Sequence, residues 1–142
     1  MSGWMECFRG VVYPWHCDHL GHMNVQHYVG MFDQAGFHFL SEIGFRFHDM
    51  DEQGETLVDA QHTIQYKQEQ RVGSLVKVES AITRIGTKSV TAFHRMTNTE
   101  TGVLAATSEV VSVYFDLRRR ESLPLPDAVR EKMQPHLVEL EG

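Results

Sequence analysis

A long helical pattern of apolar residues constrains the fold of this chain more than any other feature. Apolar residues recur at intervals of three and four from Val25 to Ile43, which predicts about five turns of helix. Asn24 suits the N-cap position and Gly44 the C-terminal end. Gly36 lies on the apolar face, where we expect it to let the helix approach a neighbour closely. Because apolar residues cover most of the circumference, we expect the helix to be buried on several sides.

The rest of the chain carries strand patterns, one before the helix and four after it. The predicted strands span residues 8–13, 58–67, 75–85, 88–97 and 103–115. From Val58 the apolar residues fall on even positions, which predicts one buried face, whereas the last strand is apolar on both parities, as is typical of a central strand. Asp127 is expected to cap a short helix that runs to about Leu137. The sequence therefore predicts an α+β fold, with a five-stranded antiparallel sheet wrapped round one long central helix, plus a short C-terminal helix.

Length and charge set the class of protein. The 142 residues fit a single domain, predicted to span 1–142, and 13 basic against 19 acidic residues give a net charge of -6. This charge argues against binding to nucleic acid or to an anionic membrane. We find no apolar run long enough for a membrane span and no signal-peptide pattern at Met1-Ser2, so a cytoplasmic location is expected. The edges of the sheet need cover, which favours a homo-oligomer.

Histidines are concentrated before and within the helix, with His16, His19 and His22 spaced three residues apart. This spacing raises the possibility of a zinc site. A loop with such spacing has no fixed geometry, however, and Asp18 would be needed as a further ligand, so we predict no metal. The neighbouring Cys17 is interpreted as a small, half-buried residue rather than a nucleophile.

Two further histidines, His62 and His94, fall on the apolar parities of their strands. A histidine at such a position is more commonly a hydrogen-bonded core residue or a pocket-lining residue than a catalytic one. We therefore expect one of these two structural roles for each.

Asp18 lies one short loop before the predicted helix. A helix N-terminus presents unpaired N–H groups and the positive end of the helix dipole, which can stabilise a developing oxyanion. A carboxylate beside it can attack a carbonyl group or activate a water molecule. These parts suit acyl transfer to water. From the residues alone a simple turn or capping role for Asp18 remains the more common alternative.

The segment from Tyr13 to Tyr28 carries a family resemblance. Tyr13-Pro14, followed by the pattern D-x-x-G-H-M-N-x-x-x-Y from Asp18 to Tyr28, resembles the signature of hotdog-fold acyl-CoA thioesterases of the 4-hydroxybenzoyl-CoA thioesterase-like (YbgC-type) family. The order of elements is similar over nearly the whole chain. The resemblance implies a hotdog fold, a homodimer or homotetramer, and hydrolysis of a small acyl-CoA thioester without a cofactor, since coenzyme A is part of the substrate.

The resemblance also implies roles for individual residues. Asp18 matches the nucleophile or general base, and the backbone N–H of Val25 matches the donor to the thioester carbonyl. At the position of Val25 many members carry Asn and some carry His, so here only the main-chain donor remains. The implied catalytic residues are Asp18, Val25, His22 and Asn24. The implied or candidate substrate-binding residues are Tyr28, Gly21, Lys88, Ser89 and Arg71.

Two other functions remain open. Hotdog folds include enoyl-CoA hydratases, but those use an Asp-x4-His spacing, whereas Asp18 and His22 are separated by three residues. The chain could also be a non-catalytic module that binds acyl-CoA or an acyl carrier, because a fold alone does not imply turnover. The sequence leaves the acyl group undetermined.

Overall fold

The long helix forms as predicted. The computed structural model describes residues 3–140; Met1-Ser2 and the last two residues of the predicted domain, 141 and 142, lie outside the described residues. Helix α1 spans Val25–Glu42 and is capped by Asn24, whose side-chain oxygen accepts a hydrogen bond from the Gln26 N–H at 3.1 Å. Gly44, just past the helix, has a φ of +101°, a left-handed conformation that suits glycine.

Six strands form one antiparallel sheet in the order β1-β3-β4-β5-β2, with the short β6 paired to β5. The strands are β1 (Met5–Val11), β2 (Glu55–Tyr66), β3 (Leu75–Ile85), β4 (Ser89–Asn98), β5 (Leu104–Asp116) and β6 (Glu121–Ser122). The first strand begins and ends earlier than predicted, and the two-residue β6 was not predicted. The predicted α+β class, with a curled sheet, a long helix and a short C-terminal helix, is confirmed.

The core lies between α1 and one half of the sheet. Helix α1 packs mainly against β1, β3 and β4. Phe32 and Phe39 of α1 and Met96 of β4 are among the largest fully buried side chains of this core. The predicted burial of α1 on several sides is incomplete within the chain, because Val29 is 40% exposed and Phe37 is 48% exposed. The helix therefore leaves β5 and β2 partly uncovered.

Strand β2 corrects the prediction of a single buried face on even positions. Asp59 pairs with Ser112 and Gln61 with the preceding Val111, so Ala60 between them is an extra, bulged residue. A bulge reverses the alternation of side chains along a strand. Leu57 and Asp59, which precede the bulge, therefore face α1, and so does His62, which follows the bulge. Val58, expected to be buried, is instead 41% exposed.

Two short helices differ from expectation. Helix α2 (Phe47–Gln53) was not predicted; it ends at Gly54, whose φ is +72°, and the chain turns there into β2. Helix α3 (Asp127–Met133) has Pro126 at its N-cap rather than Asp127. It gives way to a 3-10 turn at Gln134–His136, short of the predicted end. No helix within residues 3–140 combines the length and the apolar character that a membrane crossing requires.

Candidate active site

The loop between β1 and α1 folds into a tight turn around Asp18. Cys17 and Met23 form an isolated antiparallel bridge, and the Asp18 N–H donates to the His22 carbonyl at 3.1 Å. Gly21 closes the turn with an N–H that donates to the Asp18 carbonyl at 3.0 Å. Its φ of +80° is strained for other residues, which explains glycine at this position.

This loop is anchored by Gln70, which is 1% exposed. The Gln70 carbonyl accepts from the Met23 N–H at 2.8 Å, and its side-chain oxygen accepts from the Asn98 amide at 3.0 Å. Gln70 thus connects the loop to the end of β4. Gln70 is one of two glutamines in the polar run 68–71 and carries no signal in the sequence, so its role is a finding of the structure alone.

The Asp18 carboxylate is fixed by two hydrogen bonds. One oxygen accepts from the Asn24 side-chain amide at 2.9 Å and the other from the Leu20 N–H at 2.9 Å. The bond from Asn24, followed by that from Leu20, lowers the pKa of Asp18 below its ordinary value. Since the oxygen of the same Asn24 amide caps α1, one side chain joins the carboxylate to the start of the helix.

The first backbone N–H of α1 is available to a ligand. The Gln26 N–H is taken by the Asn24 side chain, and the His27 N–H by the Asn24 carbonyl at 3.0 Å. The Val25 N–H has no hydrogen-bond partner within residues 3–140, and its side chain is exposed. A carbonyl oxygen bound at Val25 would lie at the positive end of the helix dipole and next to Asp18.

The loop histidines face different partners. His22 Nε2 lies 3.0 Å from a carboxylate oxygen of Glu69, in the same segment as Gln70. His16 Nδ1 accepts from the Tyr13 N–H at 2.9 Å, and partial burial, with His27 nearby, lowers the pKa of His16. Among the described residues, a group of three close ligand atoms occurs only in the exposed trio of α2. That trio is His48, Asp49 and Glu52.

Tyr28, predicted to bind substrate, is buried against the sheet. Its ring packs edge to face on Tyr66 with the centroids 5.1 Å apart. Burial raises the pKa of Tyr28. Tyr28 thus packs the first turn of α1 onto the sheet. Its substrate-binding role, like that of Gly21, stays a prediction.

A cavity of about 420 Å³, called the α1 cavity below, lies between α1 and the uncovered half of the sheet. Val29, one helical turn after Val25 on the same face, is the α1 lining residue nearest to Val25 along the chain. Val29, Asp33, Gly36 and Phe37 are among the residues that line it from the helix, and Leu57, His62, Val90, His94 and Val110 are among those that line it from the sheet. A Cβ atom at Gly36 would lie 4.0 Å from His94 Nε2, an ordinary van der Waals distance, so the helix comes near β4 there without the close contact that we expected.

Both strand histidines line this cavity and are hydrogen-bonded, as predicted. His94 is 3% exposed, with Nδ1 2.6 Å from Ser80 Oγ, and His62 Nε2 lies 2.5 Å from Ser108 Oγ. Burial, and to a lesser extent the charge of His62, lowers the pKa of His94 to about 4. The His94 ring is therefore neutral at pH 7.

The predicted contacts with coenzyme A are divided between the two ends of the sheet. Arg71 follows Gln70 and lies at the same end as Asp18. Lys88 lies in the turn after β3, and Ser89 is the first residue of β4. The 11 residues of β3 span about 36 Å, which separates this turn from the end of the sheet near Asp18. One chain alone therefore does not bring Lys88 and Ser89 to Asp18, and their role stays a prediction.

Comparisons with known proteins agree with this architecture. Residues 12–133 match the model of the Thioesterase-like superfamily. The structure of YbaW, a probable thioesterase from Escherichia coli, is 20% identical in sequence, with a TM-score of 0.79 over 92% of this chain and 98% of that one. The structure of Slr0204, a 1,4-dihydroxy-2-naphthoyl-CoA thioesterase from Synechocystis, is 18% identical, with a TM-score of 0.81 over 92% and 96%. SAV2348 from Staphylococcus aureus, solved in complex with CoA, is 20% identical, with a TM-score of 0.86 over 97% and 89%.

These similarities fix the class of protein. A curled antiparallel sheet packed on one long helix, as in these solved structures, defines a hotdog fold. The chain belongs to the Thioesterase-like superfamily. The resemblance drawn from the sequence is confirmed at the level of this superfamily. No curated protein sequence matches the chain.

The two roles of Asn24 can be separated by substitution. We expect Asn24→Ala to lower the free energy of unfolding by about 1 kcal/mol, because the helix cap is lost. Asn24→Ser keeps a capping oxygen, so its stability should stay close to that of the wild type. Both variants lack the amide that donates to Asp18, so the pKa of Asp18 should rise toward its ordinary value in both. Urea unfolding and an NMR titration of the Asp18 carboxyl carbon measure the two effects. A wild-type pKa in Asn24→Ser would show that Asn24 acts only as a cap.

Proposed function

We propose that this protein hydrolyses an acyl-CoA thioester to the free acid and coenzyme A, as a member of the 4-hydroxybenzoyl-CoA thioesterase-like (YbgC-type) group. The observation that carries the proposal is the Asp18 carboxylate, held by Asn24 beside the free N–H of Val25. Membership of the Thioesterase-like superfamily and a structural neighbour solved with CoA support it. A cytoplasmic location and the lack of a cofactor remain predictions.

The proposed reaction begins with the thioester carbonyl accepting a hydrogen bond from the Val25 N–H. Attack at the carbonyl carbon moves an electron pair onto the oxygen, and the N–H and the helix dipole stabilise that negative charge. The C–S bond then breaks and coenzyme A leaves as a thiolate. Neither step requires a side chain at position 25.

Asp18 can act in two ways in this reaction. As a nucleophile it forms a mixed anhydride, which water then hydrolyses; as a general base it takes a proton from the attacking water. The hydrogen bonds from Asn24 and Leu20 lower the pKa of Asp18 and so favour its ionised form, which both routes require. His22, paired with Glu69, is proposed to orient the loop.

A homodimer would complete the site. Strand β2 is an edge strand of 12 residues and is largely exposed. Such an edge is suited to pairing with a second copy. Antiparallel pairing of two β2 strands places the Tyr66 end of one chain beside the Glu55 end of the other. The turn that carries Lys88 and Ser89 lies at the Glu55 end, so the partner subunit's Lys88 would come to the end of the joint sheet where Asp18 lies.

The dimer predicts both a mass and a phenotype. The protein should sediment at twice its chain mass of 16.3 kDa or as a tetramer built from such pairs. Lys88→Gln should raise KM for acyl-CoA several-fold without changing kcat, because it removes a cation that faces the coenzyme A phosphates. Lys132→Gln removes the same charge beside Gly44, at the end of α1 opposite to Asp18, and serves as the control. A monomeric mass at assay concentration, or equal KM values in the two variants, would contradict this arrangement.

The central test is release of free thiol from a panel of acyl-CoA thioesters. We expect Asp18→Asn to reduce kcat by at least about a hundredfold, because the amide can neither attack nor accept a proton. Asp116→Asn is the matched control. Asp116 is, like Asp18, a partly exposed aspartate with a hydrogen bond from a backbone N–H and a lowered pKa, but it lies at the end of β5. Undiminished turnover in Asp18→Asn would refute its role. Tight binding of acyl-CoA by the wild type without thiol release would instead favour a binding module.

A further inference from the structure

The α1 cavity contains a buried imidazole with one free nitrogen. His94 Nδ1 is bonded to Ser80, whereas His94 Nε2 has no hydrogen-bond partner within residues 3–140. Every fully buried side-chain nitrogen or oxygen of these residues has a partner. His94 Nε2 is therefore not sealed in the core but is reachable from the cavity that this residue lines. A polar atom in this position is suited to a ligand.

Gly36 keeps the space in front of this nitrogen open. A Cβ atom at Gly36 would lie 4.0 Å from His94 Nε2, which is its nearest neighbour within that distance. The helix thus presents no side chain between its backbone and the ring. A ligand atom that approaches beside the Gly36 backbone can therefore meet His94 Nε2 directly.

The charges around the cavity select a neutral ligand group. His94 is neutral at pH 7 because burial lowers its pKa to about 4. Asp33 and Asp59 line the cavity, and no lysine or arginine is among its described lining residues. An anionic group would therefore meet two carboxylates and no cation. A neutral imidazole nitrogen is either a donor or an acceptor, and a hydroxyl group can pair with it in either state.

The position of His94 sets the length of the ligand. Its ring lies 6.2 Å from that of Phe32, seven residues after Val25, and beside Gly36, eleven residues after Val25. These separations correspond to about 10 to 16 Å along the helix. An extended chain advances about 1.2 Å per bond, so about 8 to 13 bonds cover this distance. A short acyl group bound at Val25 would leave this end of the cavity empty.

We infer that the α1 cavity binds an acyl chain of about 8 to 13 bonds that carries a neutral hydroxyl near its far end, with His94 Nε2 as the specificity-determining partner of that hydroxyl. The inference rests on the proposed thioesterase function. It refines the expectation of a small acyl group into a longer acyl group with a polar end. The apolar part of the lining, including Val29, Val90 and Val110, suits the chain between the thioester and the hydroxyl.

Matched pairs of substrates test this inference. The pairs are straight-chain acyl-CoA thioesters of six to fourteen carbons, each with its ω-hydroxy counterpart. The wild type should favour the hydroxylated member by about tenfold in kcat/KM at its best chain length, as one added hydrogen bond predicts. At six carbons the hydroxyl cannot reach His94, so no preference is expected. A uniform lack of preference at every length would overturn the inference.

Two sets of variants assign the preference to His94 Nε2. The double variant Ser80→Ala/His94→Phe removes the nitrogen without leaving the serine hydroxyl unpaired, and it should abolish the preference. Ser80→Ala alone retains the nitrogen and should keep it. Gly36→Ala places a methyl group in front of Nε2 and should also abolish the preference, while improving helix propensity. Gly30→Ala, at a position of α1 with open space around it, is the control and should keep the preference. A preference unchanged in Gly36→Ala and in the double variant would overturn the inference.

The test separates this inference from the proposed function. Hydrolysis of the plain acyl-CoA members reports on thioesterase activity and does not depend on the hydroxyl. If no thioester is hydrolysed, calorimetric affinities of the same pairs for the wild type and Gly36→Ala still measure the preference. A hydroxyl preference in binding that Gly36→Ala removes supports the role of His94 even then. Equal affinities within every pair would contradict it.

Discussion

The burial of α1 determines the rest of the structure. The helix has apolar residues around most of its circumference, and water is excluded from them only where another layer covers them. Strands β1, β3 and β4 cover one side of the helix, and Phe32 and Phe39 are fully buried there. The sheet continues through β5 to β2 beyond the helix. The α1 cavity is the space left between this half of the sheet and apolar residues such as Val29 and Phe37.

The chemistry is located where this buried helix begins. Rigid packing fixes the direction of α1, and Asn24 then fixes Asp18 relative to its first turn through a single side chain. Capping a helix and orienting a carboxylate are separate tasks, but here they use the oxygen and the nitrogen of one amide. The first free N–H and the carboxylate are thus held by the same element, which limits their relative motion.

Local features of the fold and the site could be predicted from the sequence, whereas features that depend on pairing could not. The bounds of α1, its Asn24 cap and the loop that holds Asp18 follow from periodicity and short-range hydrogen bonds. The bulge at Ala60 depends on the register with β5, which no local pattern encodes. The contacts of Gln70 and the proximity of Gly36 to His94 likewise depend on segments that are distant in sequence, so no local pattern predicts them. The hydrogen-bonded state of His94 was predictable from strand parity, but its free nitrogen was not.

The central claim is that Asp18 and the Val25 N–H act on one thioester carbonyl. A crystal structure of Asp18→Asn with an intact acyl-CoA bound tests this most directly, because the substitution keeps the shape of the side chain while slowing turnover. The account predicts the thioester oxygen within about 3.1 Å of the Val25 nitrogen, with the carbonyl carbon facing residue 18. A thioester bound away from the start of α1, with the Val25 N–H still free, would contradict it.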